Sequence, residues 1–298
     1  MKKNKILYFL LALLLCLPLF FLVKPKPKYY LSVCAIFRNE ARFLREWIEY
    51  HRIVGVEHFY LYNNLSEDNY YDVLKPYVDS GIIELFQWPH QGKNQKEWNK
   101  IQCGAYSDLI KKKKKETFWL AIIDTDEFIL PLSKNTVSEF LKDYEEYGGL
   151  VINWQLFGTS VKRIPENDLL VRLLTKKAPE DFYTNRFVKS IVQPKKVKKV
   201  TQPHSCRYKE PYFHVTENKI SFPRKSILPY VSVNKIRINH YISRDEQFFY
   251  EEKQRRIREW HPGSPPIKIN PELNVIEDRA IFTYMPELNE RLFGDNTN

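Results

Sequence analysis

At 298 residues, 43% hydrophobic and 28% charged, the chain is too apolar for a disordered protein and long enough for one large α/β domain. Its formal net charge of +11 suits anionic lipid or phosphorylated ligands; nucleic acid is not expected, because no nucleic-acid module is recognisable. The four cysteines, Cys16, Cys34, Cys103 and Cys206, form no CxxC pair, which argues against a thiolate zinc site and a disulfide framework.

The first element is an apolar run. Residues 6–23 carry no charge and would span roughly 27 Å as a helix, about the thickness of a bilayer core. No small residues near its end favour cleavage, so residues 1–23 are expected to be a membrane anchor rather than a removed signal peptide. Lysines flank both ends and leave the orientation open. Residues 24–29, in which lysine and proline alternate up to Lys28, read as a stiff, charged stalk.

Residues 30–37 read as a buried strand. Asn39 is placed to cap the next helix, where Phe43, Leu44, Trp47, Ile48 and His51 recur at helical spacing until Gly55. Strands follow at 58–62, 82–86 and 118–123, with helices at 70–78 and 95–113 between them. This alternation predicts an α/β domain over 30–262 with a mostly parallel sheet. Ligands of such sheets bind beyond the carboxyl ends of the strands. The segments to read are therefore Arg38-Asn39-Glu40, residues 63–68, residues 87–94 and residues 124–127. Further on, Thr136 to Glu139 match a capping box, and 150–154 is another strand. Ser243 is placed to cap a last long helix, 244–260. The proline-rich residues 263–298 read as an extended tail.

Asp124 and Asp126 stand two apart just past an apolar strand, so their carboxylates project to one side. Hard oxygen ligands suit Mn²⁺ or Mg²⁺. A diphosphate can complete such an ion's shell, and the ion can neutralise a departing diphosphate. An acidic surface turn would have the same sequence.

The chain resembles glycosyltransferase family 92 and its bacterial, family 2-like relatives with the GT-A fold. The resemblance rests on residues 34–40, 46–51, 55–64 with Ser66 and Asp68, 119–128, 154–158, 189–192 and 239–241. It implies a GT-A sheet and an inverting transfer, with galactose from a UDP-sugar the best-known case, to a glycan, glycolipid or glycoprotein hydroxyl. It implies that Arg38, Asn39, Glu40, Asn63, Asn64 and Asp68 hold the nucleotide, and that Asp124 and Asp126 hold the metal with Asp126 the more direct ligand. His240 would complete the metal shell. Inversion needs a base for the acceptor hydroxyl, and Asp181, Glu210 and Asp245 are the candidates. Trp154 and Phe157 would wall the sugar or else pack in the core, and Lys189 and Arg186 would offset phosphate charge or else be ordinary surface residues. Two other readings stay open. One is a metal-dependent phosphodiesterase, although a second metal cluster is wanting. The other is a catalytically silent carbohydrate- or membrane-binding protein on the same fold. The compartment follows from the source: a Golgi type II protein if eukaryotic, an inner-membrane protein facing the cytoplasm if bacterial.

Overall fold

The computed structural model of the chain describes residues 26–222, 226–261, 263 and 265–294. The expected anchor, 1–23, lies outside these residues. No described helix is long and apolar enough to cross a membrane.

The amino half alternates as its sequence pattern requires: β1 (Tyr29–Phe37), α1 (Ala41–Ile53), β2 (His58–Asn63), α2 (Tyr70–Asp79), β3 (Ile83–Gln87), α3 (Gln95–Lys113) and β4 (Thr117–Ile122). The strands lie in the order β3-β2-β1-β4, and every pairing among them is parallel. Strand β1 reads as an unbroken apolar run because both of its faces are covered. Leu31, Val33 and Ala35 pack with Trp47 and Ile48 of α1. Cys34 and Ile36, on the other face, pack with Tyr106 and Leu109 of α3. Gly55 ends α1 with φ 98°, a conformation that suits a residue without Cβ.

His51 shows how this core sets a pH limit. Its Nδ1–H donates to the Trp47 carbonyl at 2.8 Å, and its Nε2 accepts from the Ile129 N–H at 3.3 Å. Burial pushes the ring down to about 3, against the pull of the Trp47 carbonyl. The unfolded chain therefore binds a proton below pH 6.5 that the fold refuses. Stability is expected to fall by about 1.4 kcal/mol per pH unit from 6.5 towards 3 on account of this group. His51→Gln should flatten that slope by about one proton in thermal unfolding followed against pH; an unchanged slope would assign the acid loss elsewhere.

The carboxyl half departs from the expected mostly parallel sheet. Its strands are β5 (Glu127–Pro131), β6 (Gly149–Leu156), β7 (Lys176–Lys177), β8 (Val188–Val192), β9 (Val197–Gln202), β10 (Ser205–Tyr208), β11 (His214–Val215), β12 (Ile236–His240) and β13 (Ile276–Glu277). From β4 the sheet continues β8-β6-β12-β5. The β4–β8, β8–β6 and β12–β5 pairs are antiparallel, while β6–β12 and β6–β11 are parallel. The sheet is thus mixed, because this half pairs strands that are far apart in the chain, β4 with β8 and β5 with β12, rather than neighbours joined by a crossover helix. Strands β4 and β5 are consecutive in the chain but lie four places apart in the sheet, so residues 124–126 span its two halves.

Three local expectations need correction. Asn39 does not cap α1: its Oδ1 accepts from the Glu67 N–H at 2.8 Å, and the first helical N–H, of Ala41, donates to Asp68 Oδ2 at 2.8 Å. The loops after β1 and β2 are neighbours, and each satisfies the other's backbone. The helix expected at 244–260 is capped by Asp245, not Ser243, and runs as Glu246–Phe248, a wider turn at Phe249–Lys253, and Gln254–Trp260. The tail 263–298 is not extended over its described part. Residues of β13 pair with β7, and the final helix, Met285–Phe293, buries Met285, Leu288 and Leu292. Two of its prolines, Pro271 and Pro286, stand at helix and turn entries, where a missing N–H costs nothing.

Candidate active site

A cavity of about 380 Å³ opens at the carboxyl ends of β1, β2 and β4, within the range of small-molecule sites. All four post-strand segments read from the sequence reach it: Arg38 and Glu40, Asn64, residues 90–93, and Asp124 to Asp126. A fifth contribution comes from far along the chain, as Arg256 and Glu259 close one side.

The two aspartates have different surroundings. Asp124 Oδ2 accepts from Lys189 Nζ at 2.6 Å, and the Asp124 N–H donates to Glu127 Oε2 at 2.8 Å. Its Oδ1 is buried without a hydrogen-bond partner. Lys189 projects from β8, is 1% exposed, and stands 3.6 Å from Glu127 Oε2. Burial works against the Lys189 charge, but Asp124 and Glu127 outweigh it and raise the ammonium above its ordinary value. Burial pushes the Glu127 carboxyl up, with Lys189 pulling the other way.

Asp126 faces the other half of the sheet. Strand β12 runs antiparallel to β5 with His240 opposite Glu127, and the Tyr241 N–H donates to the Asp126 carbonyl at 2.9 Å. This register sets His240 Nε2 3.5 Å from Asp126 Oδ2. Burial opposes the Asp126 charge, but His240, then Lys253 and Arg244, hold its carboxyl well below the usual carboxylate range. Burial pushes Lys253 down to about 8, against the pull of Asp126. Beside them Glu40 is pushed up by burial against its partners Arg244 and Arg256. The Arg244 Nη1 has no hydrogen-bond partner. Buried cations in such number suit an anionic ligand.

The donor set also fits one divalent ion. Two ligands at about 2.1 Å from such an ion stand roughly 3 Å apart when adjacent, and Asp126 and His240 need only a small closure to meet this. The His240 Nδ1 and Asp124 Oδ1 are both unpartnered. No group of three or more His, Cys, Asp or Glu side chains suited to a metal occurs among the described residues. An ion here would therefore take much of its shell from a ligand or water.

Several expected site residues lie elsewhere. Asn39 and Asp68 border a neighbouring groove, and Asn63 is buried, bonded to Tyr70 and Gln87. Trp154 packs on Phe187, His204 and His240, and Phe157 is core. Lys189 is bound to Asp124 rather than open to a phosphate, and Arg186 donates to the Leu228 carbonyl. None of the three candidate bases lines the cavity. Asp245 is fully used, accepting from the Phe248 and Ile164 N–H groups, each at 2.8 Å, and pairing with Arg42 at 2.9 Å. Glu210 borders a separate hollow with Tyr212 and Phe222, and Asp181 is exposed. Lys253, Arg256 and Glu259 were missed, because nothing near them in sequence marks them apart from the basic character of their helix.

The profile of glycosyltransferase family 92 matches residues 28–266. The chain is 26% identical over 217 residues to a glycosyltransferase family 92 protein of Oryza sativa subsp. japonica, covering 71% of this chain and 33% of that one. It is 26% identical over 190 residues to a beta-1,4-galactosyltransferase of Caenorhabditis elegans, covering 60% and 43%. Among solved structures, S. aureus TarS in complex with UDP-GlcNAc aligns with 89% of this chain and 73% of that one, at 13% identity and a TM-score of 0.34, a likeness that carries no argument. The chain spans 33% and 38% of the length of the first two curated relatives.

Proposed function

The chain belongs to glycosyltransferase family 92, and from that premise we propose that it transfers a sugar from a UDP-sugar to a hydroxyl of a glycan, glycolipid or glycoprotein. The observation that carries this reading is the convergence of four post-strand loops on one cavity, with Asp124 and Asp126 in its wall and His240 beside them. The sheet and its switch from parallel to mixed pairing at β4 agree with a GT-A domain. Galactose is the first sugar to try, because a similar protein is named a beta-1,4-galactosyltransferase. Residues 1–23 would hold the domain at a membrane, lumenal in a Golgi or cytoplasmic in a bacterium.

Asp126 and His240 would hold Mn²⁺ or Mg²⁺, with Asp124 in the same cavity wall. The bound ion would neutralise charge on the leaving diphosphate. Among the protein's own cations, Arg256 lines the cavity and would add to that neutralisation, while Lys253 and Arg244 help keep Asp126 ionised. The Lys189 ammonium holds Asp124 in one orientation, so the carboxylate is set before the donor arrives. Inversion would be expected, with a base other than Asp181, Glu210 and Asp245.

The test is UDP release from a panel of UDP-sugars by the full chain in detergent, with Mn²⁺ or with EDTA. Release from one donor that EDTA stops is the expected result. UDP binding without release from any donor and acceptor would instead support the silent fold, and absence of both would overturn the reading. Arg256→Ala is expected to weaken UDP binding by about 10- to 100-fold, the loss of one charge-assisted hydrogen bond. Calorimetric titration checks this, and an unchanged Kd would remove Arg256 from the site.

A further inference from the structure

The end of the domain opposite the cavity gathers lysines from three separate stretches of chain. Lys28 precedes β1. Lys111, Lys114 and Lys115 end α3 and lead into β4, whose first residue pairs with Tyr29. Lys195 and Lys198 follow β8, which runs antiparallel to β4 and therefore ends towards the start of that strand, its last residue Val192 pairing with Leu120. Packing unites the last two groups: Val197 and Val200 of β9 bury against Leu109 and Ile110 of α3, which leaves Lys198 and Lys199 pointing out. All these lysines are exposed, and none makes an ion pair among the described residues. The acidic side chains nearby are fewer than these lysines and partly paired. Glu84 and Glu116 share Lys113 and Asp108 holds Lys112, while Glu57 and Glu145, which accept from the neutral Tyr30, and the exposed Asp143 and Glu146 keep their charges.

We propose that this lysine pole is a docking surface for an anionic lipid bilayer. A run of like charge is ordinarily just solvated surface. Here two runs about 80 residues apart in the chain meet on one face through the packing of β9 on α3. That face is also where residue 26 emerges, three positions after the uncharged run 6–23. Each lysine near an anionic leaflet contributes about 1 kcal/mol, and the attraction fades within a Debye length. The nine residues of β1 then hold the cavity about 30 Å from the bilayer, facing away.

The full chain reconstituted in phosphatidylcholine vesicles, with or without phosphatidylserine, tests this by trypsin cleavage at Lys111, Lys114 and Lys115. Cleavage at the exposed Arg279 in the same molecules serves as the internal reference. Phosphatidylserine is expected to slow cleavage at the three lysines about tenfold or more relative to Arg279, and high salt should reverse the protection. The variant Lys195→Glu with Lys198→Glu and Lys199→Glu leaves those cleavage sites intact, and it should lose the protection while its thermal unfolding stays unchanged. Equal cleavage in both vesicle types would overturn the proposal. So would protection that persists in the variant, or that arises only when DNA is added to neutral vesicles. None of these readouts depends on sugar transfer, so failure here leaves the transferase reading standing.

Discussion

Asp126→Ala is expected to lower sugar transfer by about 10³-fold or more while leaving the fold intact. The turn that carries Asp126 is held by its backbone, since its carbonyl accepts from the Tyr241 N–H at 2.9 Å, and alanine keeps that bond. The side chain, by contrast, is a carboxylate kept ionised by His240, Lys253 and Arg244 against the cost of burial. On the proposed reading, that charge serves a ligand rather than stability. On that reading, removing it takes away one of the two side chains, 3.5 Å apart, that would hold the cation. Asp126→Asn should behave almost as badly, because it keeps the shape and loses the charge. UDP release and thermal unfolding measured together check this. Transfer within tenfold of the parent would sink the assignment, and a collapse of the melting temperature would show that Asp126 has a structural duty instead.

Lys189→Met should act on stability. The lysine is 1% exposed and is the cation between Asp124 and Glu127. Without it, the buried Glu127 and the partly exposed Asp124 lose the cation between them, and breaking a pair whose members were both buried costs about 3–5 kcal/mol, here an upper figure. For a domain of this size that lowers the melting temperature by up to about 10 °C. Adding Glu127→Gln and Asp124→Asn removes both stranded charges and should restore much of the loss, although not donor binding. A variant that melts within about 1 °C of the parent would mean that Lys189 reaches solvent and that Asp124 is not held as described.

The amino half of this fold was readable because its signals are local. A buried parallel strand shows as an apolar run, an amphipathic helix as a 3.6-residue period, and Gly55 as a stop. The strands of β1 to β4 and the helices between them follow those patterns closely, and α3 keeps its expected bounds, Gln95–Lys113. The rule that ligands gather beyond the carboxyl ends of such strands then singled out the four loops that line the cavity. The carboxyl half gave weaker signals, since short antiparallel strands pair across long sequence gaps and their order in the sheet is a matter of tertiary packing. The tail misled because proline is as compatible with a helix entry as with extended chain.

By itself, then, the sequence determined the parallel α/β half, its family and the aspartate pair, all of which depend on residues close together in the chain. Only the tertiary structure decided which partner each aspartate has. It brought Lys189 to Asp124 through the β4–β8 pairing, and His240 to Asp126 through the β5–β12 register. It also laid Lys253 and Arg256 behind and beside the cavity, and withdrew Asp245 to cap a helix. These choices rest on contacts 65 to over 100 residues apart, where charge must find charge once burial has removed the water.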